Sequence, residues 1–364
     1  MMSLLRRWQT ETGDAYVVSL VRVILGILLL VSAVRELVEL FQAPYRGDVF
    51  HLPLVPEAIV PSRAAFLALV IVECALAALV IVGWLARPAL LASAISGIYL
   101  LLCDRLAYHN NRYALLLFAW LIAFAPCDRA FVWRGRGAAD SDRIGPLWAQ
   151  RLAQVQLSIV YLASGCSKLL DPDWRGGLVV GDRLVRSTAL AIDRGVPPAI
   201  MELLARPAFA SGVSKLAIAT ELFLAVALFL PSTRSFALWW GVMFHVTIEL
   251  TSKVELFGWL SIAIYALFAR PALRERAIVY DPDDPWAVWL ARLVHWFDWL
   301  ARFDVRPQKN VAGGVLLGVI ERDGSLASGL RGFARITRAT PILFALSVPL
   351  SLVASVRARR GLRS

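Results

Sequence analysis

Long stretches without charge set the strongest limit on what this chain can fold into. In the hydrocarbon of a bilayer every backbone N–H and C=O must pair within its own helix, so a span becomes a run of about 20 apolar residues. Such runs predict membrane helices near residues 16–40, 64–86, 88–107, 112–126, 148–168, 212–231, 233–252 and 254–269. We therefore expect an all-α polytopic membrane helical bundle of about eight spans.

The composition agrees with a membrane protein and argues against several other classes. Of the 364 residues 59% are hydrophobic and 18% are charged, whereas soluble domains carry about 25% charge. The first run is too long for a cleavable signal peptide, so we expect it to be the first anchor. The four cysteines form no CxxC pair, which argues against a zinc site or a disulfide framework. The net charge of +11 fits cytoplasmic loops and anionic lipid better than nucleic acid.

The distribution of lysine and arginine predicts which ends of the helices face the cytoplasm, because cytoplasmic loops are enriched in both. The 127–151 segment and the tail after Arg270 are basic, and eight spans place both on one side. The same side receives Arg6, Arg7, Arg87 and Arg234. The 168–215 loop falls outside although it is also basic, and its acidic residues offset much of that charge. We therefore expect a multi-pass protein of the cell inner membrane with a cytoplasmic C-terminal domain.

After Pro271 the pattern changes to short strands and helices. The predicted elements are strands at 277–280 and 314–320, helices at 285–302 and 326–340, and a turn at Asp323-Gly324. This alternation predicts a small α/β domain over residues 274–364, following a transmembrane domain over residues 1–270. The apolar stretch from Pro341 to Ala354 is too short to span comfortably, so we expect a buried or interfacial helix there, and a ninth span is the alternative.

Three polar clusters lie at or beside membrane depth, and the eight-span topology places all three at the outer face. Ionisable residues inside a membrane are costly and usually face a cavity or a partner. The clusters are residues 109–113, Lys168 with residues 171–177, and His245 with Glu249 followed by residues 257–259; Glu73 and Glu221 lie in two further spans. Structural explanations also stay open, namely turns with an interfacial tryptophan, a satisfied His–Glu pair and packing glutamates.

These three segments resemble the HTTM (horizontally transferred transmembrane) family, the bacterial relatives of vitamin K-dependent gamma-carboxylase. YLASGCSKLLDPDWRGG (161–177) resembles the family's apolar helix that ends in a lysine before an acidic-x-Asp-Trp turn. FHVTIELTSKVELFGW (244–259) keeps the family's twelve-residue spacing from a histidine, here His245, to Phe257. HNNRYALLL (109–117) resembles an Asn-Asn-His-x-Tyr run that opens an apolar helix. The resemblance covers about residues 10–270.

The resemblance implies chemistry on an electron-rich cofactor, whose identity the sequence does not give and for which a quinone is the candidate. In the carboxylase a lysine deprotonates a reduced naphthoquinone, which reacts with oxygen to form the base that takes a proton from a glutamate side chain. By this resemblance the candidate catalytic residues are Lys168, His245 and His109. The polar clusters and the intramembrane acids give the candidate substrate-binding residues, which are Asn110, Asn111, Arg112, Asp173, Trp174, Glu221 and Glu249. We expect no metal.

The chain departs from the family pattern in ways that bear on activity. Arg112 stands where the family has its histidine. Only one lysine, Lys168, precedes the acidic turn where the carboxylase has a pair, and residues 169–170 separate it from Asp171. The sequence also has no counterpart of the large lumenal region that binds the carboxylase's peptide substrate. We therefore do not expect gamma-carboxylation itself.

The C-terminal domain resembles the DCC-type thiol-disulfide oxidoreductase-like domains, which have a thioredoxin-like fold. These domains open with a strand, then Tyr-Asp-Gly-Asp-Cys-x-x-Cys and a helix, and this chain reads YDPDDPWA from Tyr280 to Ala287. Asp284 and Ala287 stand in the two cysteine positions. Thiol exchange needs one thiolate to attack and a second to resolve, so we expect a degenerate scaffold without redox activity. A chance YDxD run before a helix is the alternative.

Two classes of function stay open on the sequence alone. One is an enzyme that modifies a peptide, lipid or quinone at the outer face through Lys168 and His245. The other is a non-enzymatic maturation, immunity or chaperone factor that binds a peptide or lipid, which Arg112 and the lost CxxC favour. A small-solute transporter is a weaker third hypothesis, because no inverted repeat is visible. The expected partners are membrane lipid and a small secreted peptide or a quinone, and no nucleic acid.

Reporter fusions test the predicted orientation. A reporter joined at Gly137 and one joined at Asp193 should report opposite sides of the membrane, because one predicted span separates these two loops. Alkaline phosphatase, active outside, and a fluorescent protein, fluorescent inside, measure this directly. Signals from one compartment at both positions would contradict the topology.

Overall fold

The computed structural model describes residues 10–42, 50–133, 143–252, 256–269, 275–309 and 317–359. The chain divides into two compact units: unit 1 is Met1–Arg234 with Phe244–Ala269, and unit 2 is Ser235–Met243 with Arg270–Ser364. The basic residues Arg6 and Arg7 and the loop at 134–142, which contribute to the predicted orientation, lie outside the described residues.

Each of the eight predicted apolar runs coincides with a helix. In chain order the helices up to residue 265 are α1 (Tyr16–Gln42), α2 (Arg63–Val82), α3 (Ala86–Leu102), α4 (Asn110–Ala123), α5 (Trp148–Leu170), α6 (Pro172–Gly176), α7 (Leu178–Arg186), α8 (Thr188–Asp193), α9 (Pro198–Ala205), α10 (Pro207–Ala227), α11 (Arg234–Thr251) and α12 (Phe257–Tyr265). The four short helices α6 to α9 fill the long loop after α5. A chain that is mostly helical therefore contains all eight expected segments.

Length and composition identify fewer membrane spans than the sequence predicts. Within the described part of the chain, four helical segments are long and apolar enough to cross a membrane: Tyr16–Gln42, Arg63–Val82, Pro207–Ala227 and Pro341–Ala358. Two shorter apolar segments are Ala86–Leu102 and Phe257–Phe268. The stretch after Pro341 is longer than the 14 residues that the apolar run indicated, because its helical conformation continues to Ala358 and reaches 18 residues, the length that the alternative of a ninth span needs.

The long helices of unit 1 run alternately between two ends. At the first end, strands β1 (Thr12–Asp14) and β2 (Ile144–Pro146) pair antiparallel and join the segments that precede α1 and α5. At the second end, the Leu54 N–H donates to the Leu102 carbonyl (2.8 Å), joining the loop after α1 to the end of α3. Arg194, just after α8, reaches the carbonyls of Glu249 and Ser252 at the end of α11. The carboxyl ends of α1, α3, α5 and α11 therefore share the second end.

Arginine side chains close the carboxyl ends of five helices in unit 1. The last carbonyls of a helix have no partner within it and carry partial negative charge. The pairs are Arg63 with Leu40 of α1, Arg22 with Val80 and Ile81 of α2, Arg87 with Ala123 of α4, Arg234 with Leu228 and Phe229 after α10, and Arg194 with Glu249 and Ser252 of α11. Part of the basic charge that indicates orientation in the sequence therefore also satisfies helix ends.

Arg22 is the most fully buried of these side chains, with no exposed surface. Its guanidinium donates to the carbonyls of Val80 (2.5 Å), Ile81 (3.2 Å), Ala130 (2.9 Å) and Phe131 (2.8 Å). The side chain thus joins α1 to the end of α2 and to the loop after α4. A charge inside the first predicted span is tolerated because it satisfies carbonyl groups that would otherwise be unpaired.

Unit 2 contains a small sheet packed against helices. Its elements are β3 (Arg276–Tyr280), α13 (Pro285–Phe297), β4 (Phe303–Pro307), β5 (Leu317–Ile320), β6 (Leu326–Ser328), α14 (Gly329–Ala339) and α15 (Ser347–Arg359). The strand order is β4-β3-β5-β6, with β3 and β4 parallel and the other pairs antiparallel. The core consists of Ile278, Val294, Phe303, Val319 and Ile336.

The predicted strand at 277–280 and the described part of the strand at 314–320 are confirmed. The predicted helix at 285–302 ends earlier, at Phe297, because the Asp298 carboxylate accepts the N–H groups of Arg302 (2.9 Å) and Phe303 (2.8 Å) and turns the chain into β4. Burial raises the pKa of this carboxyl above its ordinary value. Strand β4 was not predicted, and residues 326–328 form strand β6 where helix was expected.

Replacing Arg22 tests the helix-end contacts. Arg22→Met should lower stability by roughly 3 kcal/mol, since several buried carbonyls lose their donors at about 1–3 kcal/mol each. Arg22→Lys should lose less, because it keeps the charge and some donors. Thermal unfolding of the purified chain in detergent measures both. The exposed Arg175→Met is the matched control, and an equal unfolding temperature for Arg22→Met and this control would refute the contribution.

Candidate functional site

Helix α5 carries a row of polar side chains at helical spacing, and each reaches another segment of unit 1. Gln150 and Gln154 donate to the Leu267 carbonyl, at 3.0 and 2.6 Å, just beyond α12. Ser158 donates to the Ala225 carbonyl of α10. Further along the same face, Tyr161 and Lys168 reach α11, α12 and α10. Steps of three, four and seven residues keep this row on one side of a helix.

Lys168 lies near the end of α5 and is paired with an acid. Its Nζ contacts Oε1 of Glu221 on α10, and it donates to Ser164 Oγ one turn earlier at 2.9 Å. The ammonium also lies 4.9 Å from the centre of the Trp174 ring. The second oxygen of Glu221, Oε2, is buried and has no hydrogen-bond partner among the described residues. This pair places a transferable proton beside an unsatisfied acceptor.

His245 lies in a buried network of aromatic side chains and is only 2% exposed. Its Nε2 forms a hydrogen bond of 2.6 Å with the Tyr161 hydroxyl, which lies 2.5 Å from the hydroxyl of Tyr265 on α12. The Phe257 ring packs edge-on against the imidazole, with centroids 5.7 Å apart. The resemblance relies on the twelve-residue spacing from His245 to Phe257, and these two side chains are in contact.

The lysine pair and the histidine group lie on one face of α5. Tyr161 and Lys168 are seven residues apart on this helix, which is two turns, or about 10 Å along the axis. Lys168 pairs with Glu221, and Tyr161 bonds to His245 and Tyr265. The group of Lys168, Glu221, Tyr161, His245 and Tyr265, which we name the α5 network, therefore joins α5 to α10, α11 and α12.

Gly165 allows α5 and α10 to approach closely enough for the pair to form. A Cβ at this position would lie 2.9 Å from Leu222 Cδ2 and 3.4 Å from Glu221 Cβ. Small residues at membrane helix contacts let two backbones come together. Gly165 lies one turn before Lys168 and directly opposite Glu221.

In the acidic turn after α5, Asp171 has a structural role, whereas Trp174 lies beside the α5 network. Asp171 caps α6, accepting the N–H groups of Asp173 (2.9 Å) and Trp174 (3.4 Å). Asp173 itself is exposed in the first turn of that helix. The Trp174 ring lies between two cations, Lys168 and Arg183, the latter at 5.2 Å. Of these expected site residues, Trp174 contacts the network and Asp173 does not adjoin it in the contacts described.

Arg112 belongs to a second polar group, between α1, α2 and α4. Its guanidinium contacts Glu36 and lies 3.4 Å from Glu73, whose other oxygen accepts the Ser96 hydroxyl at 3.0 Å. A cavity of ≈ 10 Å³ beside it is lined by Leu29, Ser32, Glu73, Ser93, Arg112 and Leu116. That volume is about the size needed for one water molecule. The arginine that replaces the family histidine is therefore held by two carboxylates from neighbouring helices.

The remaining expected residues lie at helix ends. His109 caps α4, with its Nδ1 accepting the Asn111 N–H at 3.4 Å, and Asn110 is exposed at the start of that helix. Glu249 lies against the start of α12, where a Cβ on Gly258 would come within 2.6 Å of its Oε1. Helical spacing places His245 and Glu249 one turn apart, but their contacts differ. His245 belongs to the α5 network, and Glu249 lies at a helix end.

Two members of the α5 network, Tyr161 and Tyr265, were not predicted from the sequence. Tyr161 opens the segment 161–177, and its seven-residue spacing from Lys168 indicates a shared helix face. That spacing was available as a signal. No comparable pattern marks Tyr265, which lies in an apolar helix.

The family model described as HTTM domain matches residues 11–272. No curated protein and no solved structure matches the chain at a significant level.

The two glycines after Trp174 give a matched test of the local packing. Gly177 has φ +87°, and a Cβ there would lie 2.4–2.6 Å from backbone atoms of Ala210 and Ser211 on α10, whereas nothing lies within 4 Å of a Cβ on Gly176. Gly177→Ala should therefore lower the unfolding temperature clearly, and Gly176→Ala should leave it almost unchanged. Equal effects in thermal unfolding of the two purified variants would contradict the contact.

Proposed function

This chain belongs to the HTTM family, and on that basis we propose that it is a multi-pass membrane protein that modifies a peptide, lipid or quinone at the outer membrane face. The α5 network is the proposed site, with Lys168 and His245 as its reacting groups. The observation that carries the proposal is the hydrogen bond between Tyr161 and His245, because it joins the histidine to the helix that bears Lys168.

The proposed topology has about eight spans, a cytoplasmic C-terminal domain from about residue 274 and a location in the cell inner membrane. The alternation of the long helices between two ends supports this topology. Lys168 and Glu249 lie near the carboxyl ends of α5 and α11, and Arg112 near the amino end of α4, all of which belong to the second end. The lysine and arginine distribution assigns that end to the outside.

The chain's own residues supply proton transfer at two places. Lys168 and Glu221 share a proton between an amine and a carboxylate, so the pair can accept a proton from a bound hydroxyl and return it. Tyr161 lies between His245 and Tyr265, so its hydroxyl can pass a proton between imidazole and phenol. Low exposure of these groups strengthens each interaction and limits exchange with bulk water.

A quinone fits the donors and acceptors of the α5 network. The unpaired Oε2 of Glu221 would accept a hydroxyl of the reduced ring, and the indole of Trp174 offers an aromatic face beside Lys168. Such a cofactor, when bound, supplies the electrons for reaction with oxygen. The residues proposed to hold it are Lys168, Glu221 and Trp174, while His245 would exchange a proton through Tyr161 during the reaction.

The second candidate function is a non-enzymatic membrane factor that binds a peptide or lipid. One observation favours it: Arg112, in place of the family histidine, is engaged by Glu36 and Glu73 beside a cavity of ≈ 10 Å³. A guanidinium held in this way is a structural contact and not a group that receives substrate. Under this alternative the α5 network serves to hold the helices around a binding surface.

For unit 2 we propose a thioredoxin-like scaffold of the DCC type that lacks thiol chemistry. Its strand–helix–strand unit, with β3 and β4 parallel, followed by the antiparallel strands β5 and β6 and the helix α14, supports this fold. Asp284 occupies the first cysteine position and caps α13, accepting the N–H groups of Trp286 (2.8 Å) and Ala287 (3.3 Å). A carboxylate in this position stabilises a helix and cannot exchange disulfides.

Variants at the α5 network test the enzyme proposal. The purified chain, supplied with a reduced naphthoquinone, should consume oxygen, and Lys168→Met should slow this by roughly 10²-fold or more because a proton-transfer group is lost. Tyr161→Phe should also slow it, because the imidazole loses its partner. Oxygen uptake in lipid nanodiscs is the measurement, and the exposed Lys215→Met is the control.

The same preparation separates the two functions. Wild-type rates in folded Lys168→Met and Tyr161→Phe would refute the enzyme proposal. A lipid extract of the purified chain that contains a tightly bound lipid or peptide, together with no oxygen uptake by the wild type, would support the binding function instead.

A further inference from the structure

Helix α13 of unit 2 has two apolar faces, and only one of them is buried. Ala287, Ala291 and Val294 face the core beside Ile278 and Phe303. The other face carries tryptophans at steps of three and seven residues. These are Trp286, Trp289 and Trp296, which are 69%, 53% and 74% exposed, and Trp299, just after the helix, is 48% exposed. We name this set the tryptophan face.

A water-exposed surface of this kind requires a partner. Each tryptophan side chain carries about 150–250 Å² of largely apolar area, so the tryptophan face exposes several hundred Å² of aromatic surface. Patches of that size mark interaction sites. Tryptophan is also the residue most typical of the membrane–water interface, where the indole ring lies among apolar chains and its N–H stays hydrated.

Unit 2 contains its own membrane-type segment, which indicates that the membrane covers the tryptophan face. Pro341–Ala358 is long and apolar enough to cross a membrane and only 11% of it is buried. Within the unit, the Trp239 indole of α11 donates to the Ala345 carbonyl at 2.8 Å, so this segment packs on a predicted membrane helix. Helix α14 ends one residue before the segment, and Ile336 of α14 shares the core with Val294 of α13.

Charge on the same helical layer is complementary to anionic lipid. Helices α13 and α14 pack on the sheet through one common core. Exposed arginines accompany the tryptophans on this layer, Arg292 on α13 and Arg331 and Arg335 on α14. Basic residues near a membrane surface attract anionic headgroups.

We propose that the tryptophan face lies in the headgroup region of the membrane and binds anionic phospholipid. The inference does not depend on the α5 network or on any enzymatic activity. It gives the α/β part of unit 2 a role as a membrane-surface module anchored at two places, by the segment Pro341–Ala358 and by the tryptophan face.

Spin labels on the full-length chain in nanodiscs test the proposal. The Cys166→Ser variant serves as background, because Cys166 is the exposed cysteine whereas Cys103 and Cys127 are buried and Cys74 is partly so. One label replaces the tryptophan in Trp289→Cys, and the matched label in His295→Cys lies on another exposed side of the same helix. Collisions with oxygen, which enters lipid, and with a water-soluble nickel chelate report the surroundings of each label.

The expected result is a ratio of oxygen to nickel collisions at position 289 several-fold above that at position 295, with a larger contrast in anionic than in neutral nanodiscs. Similar, water-like ratios at both positions would overturn the proposal. Protection of position 289 from both reagents would also overturn it, because a protein partner or a second copy would then cover the face. Equal contrast in neutral and anionic nanodiscs would refute the role of anionic headgroups.

Discussion

The polar face of helix α5 is the interaction on which the second half of unit 1 depends. In lipid there is little hydrophobic force between helices, so association relies on close packing and on hydrogen bonds between side chains. One helix here forms hydrogen bonds with three others: Tyr161 bonds with α11 and α12, and Lys168 donates to α10. Gln154 of the same helix donates to the segment beyond α12. Because an unpaired polar group in hydrocarbon costs several kcal/mol, the same contacts that assemble the helices also fix the candidate site.

Charged side chains at the helix ends also satisfy backbone carbonyls that would otherwise be unpaired. Arg22 satisfies four carbonyls of α2 and a neighbouring loop, and Arg63, Arg87, Arg194 and Arg234 act in the same way on other helices. Part of the basic character of the chain therefore serves helix-end hydrogen bonding. Arg194 in the basic loop at 168–215 is one such residue, so a count of arginines includes side chains whose contacts are structural.

Hydropathy predicted all eight long helices because the apolar run is a local property of the sequence. The resemblance to the HTTM family selected Lys168 and His245, and His245 bonds to Tyr161 on the helix that carries Lys168. Pairings between helices were not predictable: Glu221 was expected to pack or hydrogen-bond, and it is the partner of Lys168. Helical spacing specifies which face a residue occupies but not the register of that face against a neighbouring helix.

Strand β4 was missed for a similar reason, since its aspartate and proline are poor strand formers and only pairing with β3 makes it a strand.

A double-mutant cycle on Lys168 and Glu221 tests the central claim most directly. The unfolding temperature of the purified chain is measured for the wild type, Lys168→Met, Glu221→Gln and the double variant. If the two side chains form one buried pair between α5 and α10, each single change should destabilise the chain and the double variant should be little worse than either. Losses that simply add would mean that Lys168 and Glu221 do not interact, and the α5 network would then lack its basic group.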